Sequence, residues 1–193
     1  MAAERLEDSP EEAGRPLDDA EIANRAAKLQ WLLFDVDGVL TDGRIWYTGE
    51  GETLKAFHAH DGLAMKLAQR TGLKIGLFTG RTSEPLHRRA RDLGLDHVIS
   101  GSRDKAGDLE TFLAEKGVEP FQIGFVGDDV PDLPVLRRCG LAMTPANGAA
   151  EVKAAAHIVL PRRGGEGAAR AAIELVLGAR GEWQPLIEEL FGG

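Results

Sequence analysis

Two aspartates separated by one residue, Asp35 and Asp37, follow the short apolar run Trp31–Phe34 and precede Gly38. Like charges this close repel each other unless a cation lies between them. A hard divalent cation with oxygen ligands, usually Mg²⁺, relieves that repulsion. One carboxylate could then attack phosphorus while the other moves protons on the leaving oxygen. The alternative is an acidic turn without chemistry, which is common for this motif alone.

A second group of polar residues, Thr79, Gly80 and Arg81, follows the apolar run 73–78. A small hydroxyl and free backbone amides can hold a phosphoryl oxygen, and a guanidinium can bind a second anion in a bidentate manner. Arg89 lies further along the chain and is either a ligand contact or a surface charge. Taken alone, a Thr-Gly pair after a strand is usually only a turn.

The remaining candidates are one lysine and three aspartates. Lys105 opens a predicted helix, where its ammonium would offset negative charge on a nucleophile and a transferred group, although such a lysine is often merely solvated. Asp128 follows the apolar run 122–126 most closely and is the expected cation ligand. Asp129 is expected to orient either Asp128 or a metal-bound water from outside the ligand set. Asp132 either caps the following helix or reaches the metal.

These residues follow short apolar runs that alternate with segments of helical periodicity. The predicted strands are residues 31–34, 73–78, 97–99, 122–126, 141–143 and 157–160. The predicted helices are residues 18–29, 62–70, 84–93, 105–116, 131–138, 148–155 and 167–177. Strands buried on both faces read as continuous apolar runs, and parallel strands need helical crossovers. The alternation therefore predicts an α/β fold, a doubly wound (Rossmann-like) parallel sheet.

Three segments stand outside this alternation. Residues 1–17 are acidic and poor in large apolar side chains, which predicts a flexible leader. Residues 43–57 contain two β-prone runs around glycines, which predicts a β-hairpin at the edge of the sheet where ligands bind. Residues 181–193 form a short amphipathic tail, so the domain is expected to cover residues 18–180.

The composition limits the classes of partner and compartment. The 193 residues include 23 Lys and Arg against 31 Asp and Glu, a net charge of −8, which argues against nucleic-acid and membrane binding. The single cysteine, Cys139, excludes an intramolecular disulfide framework and fits a reducing compartment. The expectation is a cytoplasmic, single-domain protein.

Together, in this order, the four groups of polar residues resemble the haloacid dehalogenase (HAD) superfamily of phosphotransferases, over about residues 31–177. The resemblance implies that Asp35 is the nucleophile, which becomes an aspartyl-phosphate, and that Asp37 is the general acid and base. It implies that Thr79 and Lys105 hold the phosphoryl group. The implied Mg²⁺ ligands are Asp35, the backbone carbonyl of Asp37, and Asp128.

Further motifs are similar to one family, the 3-deoxy-D-manno-octulosonate (KDO) 8-phosphate phosphatases. These motifs are Thr41-Asp42-Gly43, Lys55-Ala56-Phe57, Asp61-Gly62, Thr79-Gly80-Arg81 and the glycine-rich run from Gly164 to Arg170. The resemblance implies a capless homotetramer in which the hairpins assemble into a barrel and a neighbouring subunit helps to close each site. The implied contacts to the sugar acid are Phe57, His58, His60, Asp61, Gly80, Arg81, Arg89 and Lys105.

The sequence departs from that family before Asp61, where it has His58-Ala59-His60 instead of the common Asn-Val-Arg. An imidazole that is largely neutral at pH 7 recognises a carboxylate less strongly than a guanidinium. A phosphatase for another nonulosonate phosphate, of the sialic-acid 9-phosphate type, is therefore the alternative. A non-enzymatic receiver-like module that binds Mg²⁺ and phosphate is a more remote one. The glycine-rich run either begins a helix or approaches the site of an adjacent subunit.

Overall fold

A parallel sheet of six strands forms the centre of the structure, a computed structural model that describes residues 14–49 and 51–192. The strands are β1 (Trp31–Phe34), β2 (Trp46–Thr48), β3 (Gly51–Leu54), β4 (Lys74–Thr79), β5 (His97–Ser100), β6 (Ile123–Val126), β7 (Leu141–Thr144) and β8 (Ile158–Val159). The helices are α1 (Asp19–Lys28), α2 (Ala59–Arg70), α3 (Glu84–Leu93), α4 (Lys105–Lys116), α5 (Leu133–Leu136), α6 (Ala150–Ala155), α7 (Ala168–Ala179) and α8 (Trp183–Phe191).

The strand order is β5-β4-β1-β6-β7-β8, with every neighbouring pair parallel. The chain winds outward from β1 in one direction through β4 and β5, and in the other through β6, β7 and β8. The predicted doubly wound fold is therefore confirmed. Ligands of such folds bind at the carboxyl ends of the strands where the winding direction reverses, which here is around β1.

The residues of β1 show how one strand serves both faces of the sheet. Successive side chains on a strand point to opposite faces. Leu32 and Phe34 pack into the core with α1, α2, α3 and α7, whereas Trp31 and Leu33 pack into the core with α4, α5 and α6. All four side chains are buried. The continuous apolar run is thus explained by helix layers on both faces.

The structure differs from the sequence prediction over residues 131–138. A 3-10 turn, Val130–Asp132, comes first, and α5 follows with only four residues. The turn begins at Val130, and Pro131 is its second residue. The side chain of Asp129 accepts a hydrogen bond from the amide of Val130, and that of Asp132 accepts one from the amide of Asp129, which stabilises the tighter geometry.

Outside the main sheet, β2 and β3 pair antiparallel, and α8 packs on α7 with Leu186 buried. Residues 1–13 of the predicted leader lie outside the described residues, and the leader stays a prediction. Among the helices described, none combines the length and the apolar character that a bilayer crossing requires.

Candidate active site

Three neighbouring strands, β4, β1 and β6, end at one cavity of about 540 Å³. Asp35 follows β1 directly, and its backbone amide continues the ladder by donating to the carbonyl of Val126 at 2.9 Å. We call this site the acidic cavity. Its lining includes nine of the residues expected from the sequence, Asp35, Asp37, Thr79, Gly80, Arg81, Lys105, Asp128, Asp129 and Asp132.

Lys105 lies at the centre of the polar contacts in the acidic cavity. Its Nζ is 2.8 Å from Oδ1 of Asp35, 2.5 Å from Oδ1 of Asp132 and 3.0 Å from the carbonyl oxygen of Phe78. Burial alone would lower the pKa of Lys105, but the two carboxylates outweigh it and raise the pKa. Lys105 is therefore a buried, charged partner of the aspartates and not a solvated surface lysine.

The position of Lys105 follows from the start of α4. The side chain of Asp104 accepts hydrogen bonds from the backbone amides of Ala106 and Gly107, at 3.1 and 3.2 Å. This N-cap makes Lys105 the first residue of the helix.

Asp35, Asp128 and Asp132 form a cluster in which one carboxylate oxygen from each lies within 4.8 Å of the others. Burial first, and then the charge of Asp132, raise the pKa of Asp35 to about 7. Burial first, and then the charge of Asp35, raise the pKa of Asp128 to about 8. A cation held among these oxygens would relieve both penalties, so the donor set fits a hard divalent ion such as Mg²⁺.

The contacts of Asp132 do not include the predicted helix cap, and its role as a metal ligand stays a prediction. Its Oδ2 accepts from the backbone amides of Asp128 at 2.8 Å and Asp129 at 3.3 Å, while its Oδ1 faces Lys105. It makes no capping hydrogen bond to α5. Asp132 thus holds the turn that carries Asp128, whereas Asp129 is exposed and accepts from Val130.

The loop after Asp37 is shaped by backbone approaches that exclude side chains. Gly38 has φ of +96°, and a Cβ there would lie 2.0 Å from Oδ2 of Asp128. A Cβ on Gly164 would lie 1.7 Å from the carbonyl oxygen of Gly38, and the amide of Gly165 donates to the carbonyl of Val39 at 3.0 Å. The glycine-rich run therefore packs on the loop after β1 of its own chain, a contact that neither sequence interpretation included.

Asp37 is separate from the acidic cluster and is held by different partners. Its Oδ1 forms a buried ion pair with Nζ of Lys55, which follows β3. Its Oδ2 lies 3.7 Å from Nε of Arg81, whose Nη2 donates to the hydroxyl of Tyr47 at 2.9 Å. Lys55 was missed as a site residue, because its place in a β-prone run carries no signal of which way the side chain points.

Thr79 is buried at the end of β4, where its Oγ1 accepts from the backbone amide of Arg81 at 3.3 Å. The hydroxyl proton is thus available for a second acceptor.

Phe57, His58, Asp61 and Arg89 line a second, small cleft between α2 and α3, which we call the Arg89 cleft. The guanidinium of Arg89 lies 5.8 Å from the centre of the Phe57 ring and 3.4 Å from the carbonyl oxygen of His58. His60 is exposed, with its ring edge-on to that of His58 at 4.9 Å.

Asp61 is 3% exposed, and its Oδ1 accepts from the backbone amide of Arg170 at 2.8 Å. Burial raises the pKa of this carboxyl group above its ordinary value. The structure therefore uses Asp61 to cap the first turn of α7, and its contact with substrate stays a prediction.

A doubly wound sheet whose central strands end in paired aspartates and a buried threonine, with a buried lysine from the start of a neighbouring helix, defines a phosphatase of the HAD superfamily. Comparison with similar proteins identifies the family within this superfamily. The chain is 35% identical over 157 residues to the KDO 8-phosphate phosphatase of Yersinia pestis, covering 81% of this chain and 84% of that protein. It is 36% identical over 154 residues to the Haemophilus influenzae enzyme of the same name, covering 80% and 86%. The chain belongs to the KDO 8-phosphate phosphatase family.

Solved structures agree with this assignment. A KDO 8-phosphate phosphatase from Moraxella catarrhalis, in complex with a magnesium ion, a phosphate ion and KDO, superposes with a TM-score of 0.84 at 35% identity, covering 88% of this chain and 97% of that one. A probable phosphatase of the YrbI family from Pseudomonas syringae gives 0.87 at 38% identity, covering 90% and 99%. No protein-family model matches the chain.

Proposed function

We propose that this chain is a Mg²⁺-dependent phosphatase that hydrolyses KDO 8-phosphate to KDO and phosphate through an aspartyl-phosphate on Asp35. The observation that carries the proposal is the contact of Lys105 with both Asp35 and Asp132 beside Asp128, at the carboxyl ends of adjacent strands. This arrangement holds an attacking carboxylate and a site for a cation within one chain.

The residues proposed to hold the cation are Asp35, the backbone carbonyl of Asp37, and Asp128. When bound, Mg²⁺ supplies positive charge that polarises the phosphoryl group and separates the aspartates. Asp132 contributes by keeping Asp128 and Lys105 in place, since both of its oxygens already have partners.

In the first step, the carboxylate of Asp35 attacks phosphorus, and the bond between phosphorus and the ester oxygen breaks. Lys105 offsets negative charge on the nucleophile and on the phosphoryl group. The hydroxyl of Thr79 and the amide of Gly80 donate to phosphoryl oxygens. Asp37 gives a proton to the leaving oxygen, and in the second step it takes a proton from the water that hydrolyses the acyl phosphate.

The sugar acid is proposed to lie between the acidic cavity and the Arg89 cleft. Arg81 lines the first and Arg89 the second, so an arginine is available to answer the sugar carboxylate. Phe57, His58 and Asp61 line the cleft with Arg89, and His60 lies against His58. Asp61 is the least exposed of them.

The two alternatives are less well supported. The named relatives act on KDO 8-phosphate, so a sialic-acid 9-phosphate phosphatase is not favoured. A receiver-like module would place its aspartate pair and its phosphorylated aspartate on different strands, whereas Asp35 and Asp37 leave the same strand. An acyl phosphate that persists for minutes would favour the module.

The decisive experiment measures phosphate release from KDO 8-phosphate, a sialic-acid 9-phosphate and a hexose phosphate. We expect KDO 8-phosphate to have the highest kcat/KM, activity to disappear with EDTA, and excess Mg²⁺ to restore it. An absence of turnover with every eight- and nine-carbon acid would disprove the proposed function.

The chain is also proposed to form the homotetramer implied by its family, through the hairpin. Four large apolar side chains around β2 and β3 are exposed, Ile45, Trp46, Tyr47 and Leu54. Such a patch favours burial against another copy. Light scattering should give four times the chain mass, and Trp46→Asp should lower the measured mass. A monomeric wild-type protein would contradict the assignment.

A cytoplasmic location fits the single buried thiol of Cys139 and is checked by cell fractionation.

A further inference from the structure

The hairpin contributes a charged side chain to the proposed general acid and base. Lys55 follows β3, its side chain is 3% exposed, and its Nζ pairs with Oδ1 of Asp37. Burying an ammonium group is costly unless a counter-charge is well placed. The direction of this long side chain, inward to Asp37, is therefore a specific feature of the fold.

The two oxygens of Asp37 are in different situations. Oδ1 is engaged by Lys55. Oδ2 is buried and makes no hydrogen bond within the part of the chain that the structure describes, although Nε of Arg81 lies 3.7 Å away. Asp37 lines the acidic cavity, and Oδ2 is the carboxylate oxygen that Lys55 leaves without a hydrogen bond.

We propose that Lys55 is a positioning residue that holds the Asp37 carboxyl group so that Oδ2 faces the leaving oxygen. The inference rests on the proposed function. When the bond between phosphorus and the ester oxygen breaks, the proton on Oδ2 passes to that oxygen and completes the alcohol product. When water then bonds to phosphorus, its proton passes to Oδ2 and the bond from phosphorus to Asp35 breaks.

A direct contact with substrate is a poorer account of Lys55. The side chain is almost fully buried, and its ammonium is turned toward Asp37. The consequence is that the hairpin, although it lies outside the main sheet, influences proton transfer at Asp37 in the acidic cavity.

The test compares Lys55→Met, which keeps the length and removes the charge, with Lys55→Arg, which keeps the charge. The matched control is Lys66→Met, since Lys66 is exposed on α2. Rates of the first turnover are measured by rapid quench with an alkyl phosphate and with p-nitrophenyl phosphate, whose leaving group needs no proton.

For Lys55→Met we expect the first-turnover rate on the alkyl phosphate to fall by about 10–100-fold, part of the range that a general acid contributes. The rate on p-nitrophenyl phosphate should change by less than about threefold, with KM unchanged for both. Lys55→Arg should recover most of the loss. In an Asp37→Asn background, Lys55→Met should cause little further loss.

Three results would each overturn the proposal. The first-turnover rate could fall equally on both substrates, or the effects of Lys55→Met and Asp37→Asn on that rate could be fully additive. Alternatively, only the KM for sugar acids could rise. A crystal structure of Lys55→Met should show the Asp37 carboxyl group rotated, and an unmoved carboxyl group would also count against it. Because both probe substrates are simple esters, the comparison remains decisive even if KDO 8-phosphate proves not to be the substrate.

Discussion

The acidic cavity and the Arg89 cleft satisfy their charged groups in different ways. In the acidic cavity, charged side chains pair with one another, as Lys105 does with Asp35 and Asp132. In the Arg89 cleft, Asp61 and Arg89 contact backbone atoms instead. Oδ2 of Asp61 and Nδ1 of His58 are buried there without hydrogen bonds among the described residues. In the acidic cavity the comparable atom is Oδ2 of Asp37. The proposed catalytic groups are therefore mostly paired with one another, whereas the proposed recognition groups depend on backbone contacts and leave polar atoms for a ligand or an adjacent subunit.

The largest effect is expected in the acidic cavity from Asp35→Asn. Loss of the nucleophile should lower kcat by about 10⁴-fold or more. The melting temperature should not fall, because burial already disfavours ionisation of this carboxyl group, asparagine keeps an oxygen for Lys105, and Asp132 still supplies its counter-charge. Phosphate release and thermal unfolding are measured beside Asp19→Asn, an exposed aspartate on α1. Activity within tenfold of the wild type would remove Asp35 from its role.

The mutual pairing in the acidic cavity is tested by Asp132→Ala. Removing one member of a buried ion pair, together with the acceptor for two backbone amides, should lower the free energy of unfolding by about 3 kcal/mol. Asp129→Ala, in the same turn but exposed, should cost about 1 kcal/mol through loss of a cap. Urea unfolding measures both, and equal losses would mean that the buried pair adds no stability.

The Arg89 cleft should affect recognition without affecting chemistry. Arg89→Met should raise the KM for KDO 8-phosphate by about 10–100-fold, the equivalent of one charge-assisted hydrogen bond, with kcat on p-nitrophenyl phosphate unchanged. Arg88→Met, at the exposed neighbouring position on α3, is the control. A fall in kcat with p-nitrophenyl phosphate would end the distinction between the two regions.

The smallest effect is expected from Asp61→Asn, which retains an oxygen for the amide of Arg170. Burial raises the pKa of Asp61 above the ordinary value of 3.8. At pH values between the pKa of the unfolded state and the higher pKa of the folded state, the folded state therefore binds more protons. The wild type should lose stability relative to Asp61→Asn as the pH rises through this range. Urea unfolding across a pH series measures the difference, and a difference independent of pH would contradict this account.

Much of the fold was predictable because burial on both faces gives strands such as β1 an unambiguous apolar run. The bounds of α3 and α4 were predicted to the residue, since their apolar periodicity begins and ends sharply. The acidic cavity was equally predictable, because carboxyl ends of parallel strands meet at one edge and Asp35 and Asp128 each follow a strand.

The parts that could not be predicted depend on contacts distant in the sequence. Nothing local to Lys55 indicates that its side chain reaches Asp37. The capping of α7 by Asp61 joins residues 109 positions apart, and no pattern near either end records it. The split of residues 131–138 into a turn and a short helix follows from side-chain acceptors that only the folded turn brings together.

The contact of Gly164 with Gly38 joins two parts of the chain that are synthesised far apart in time. The loop that carries Asp37 is early in the chain, yet the backbone that supports it comes after the last strand of the sheet. During synthesis, all six strands of the parallel sheet emerge before that support exists. A chain that ends before Gly164 would retain the whole sheet without the backbone that shapes the loop after β1, and we expect such a chain to be inactive.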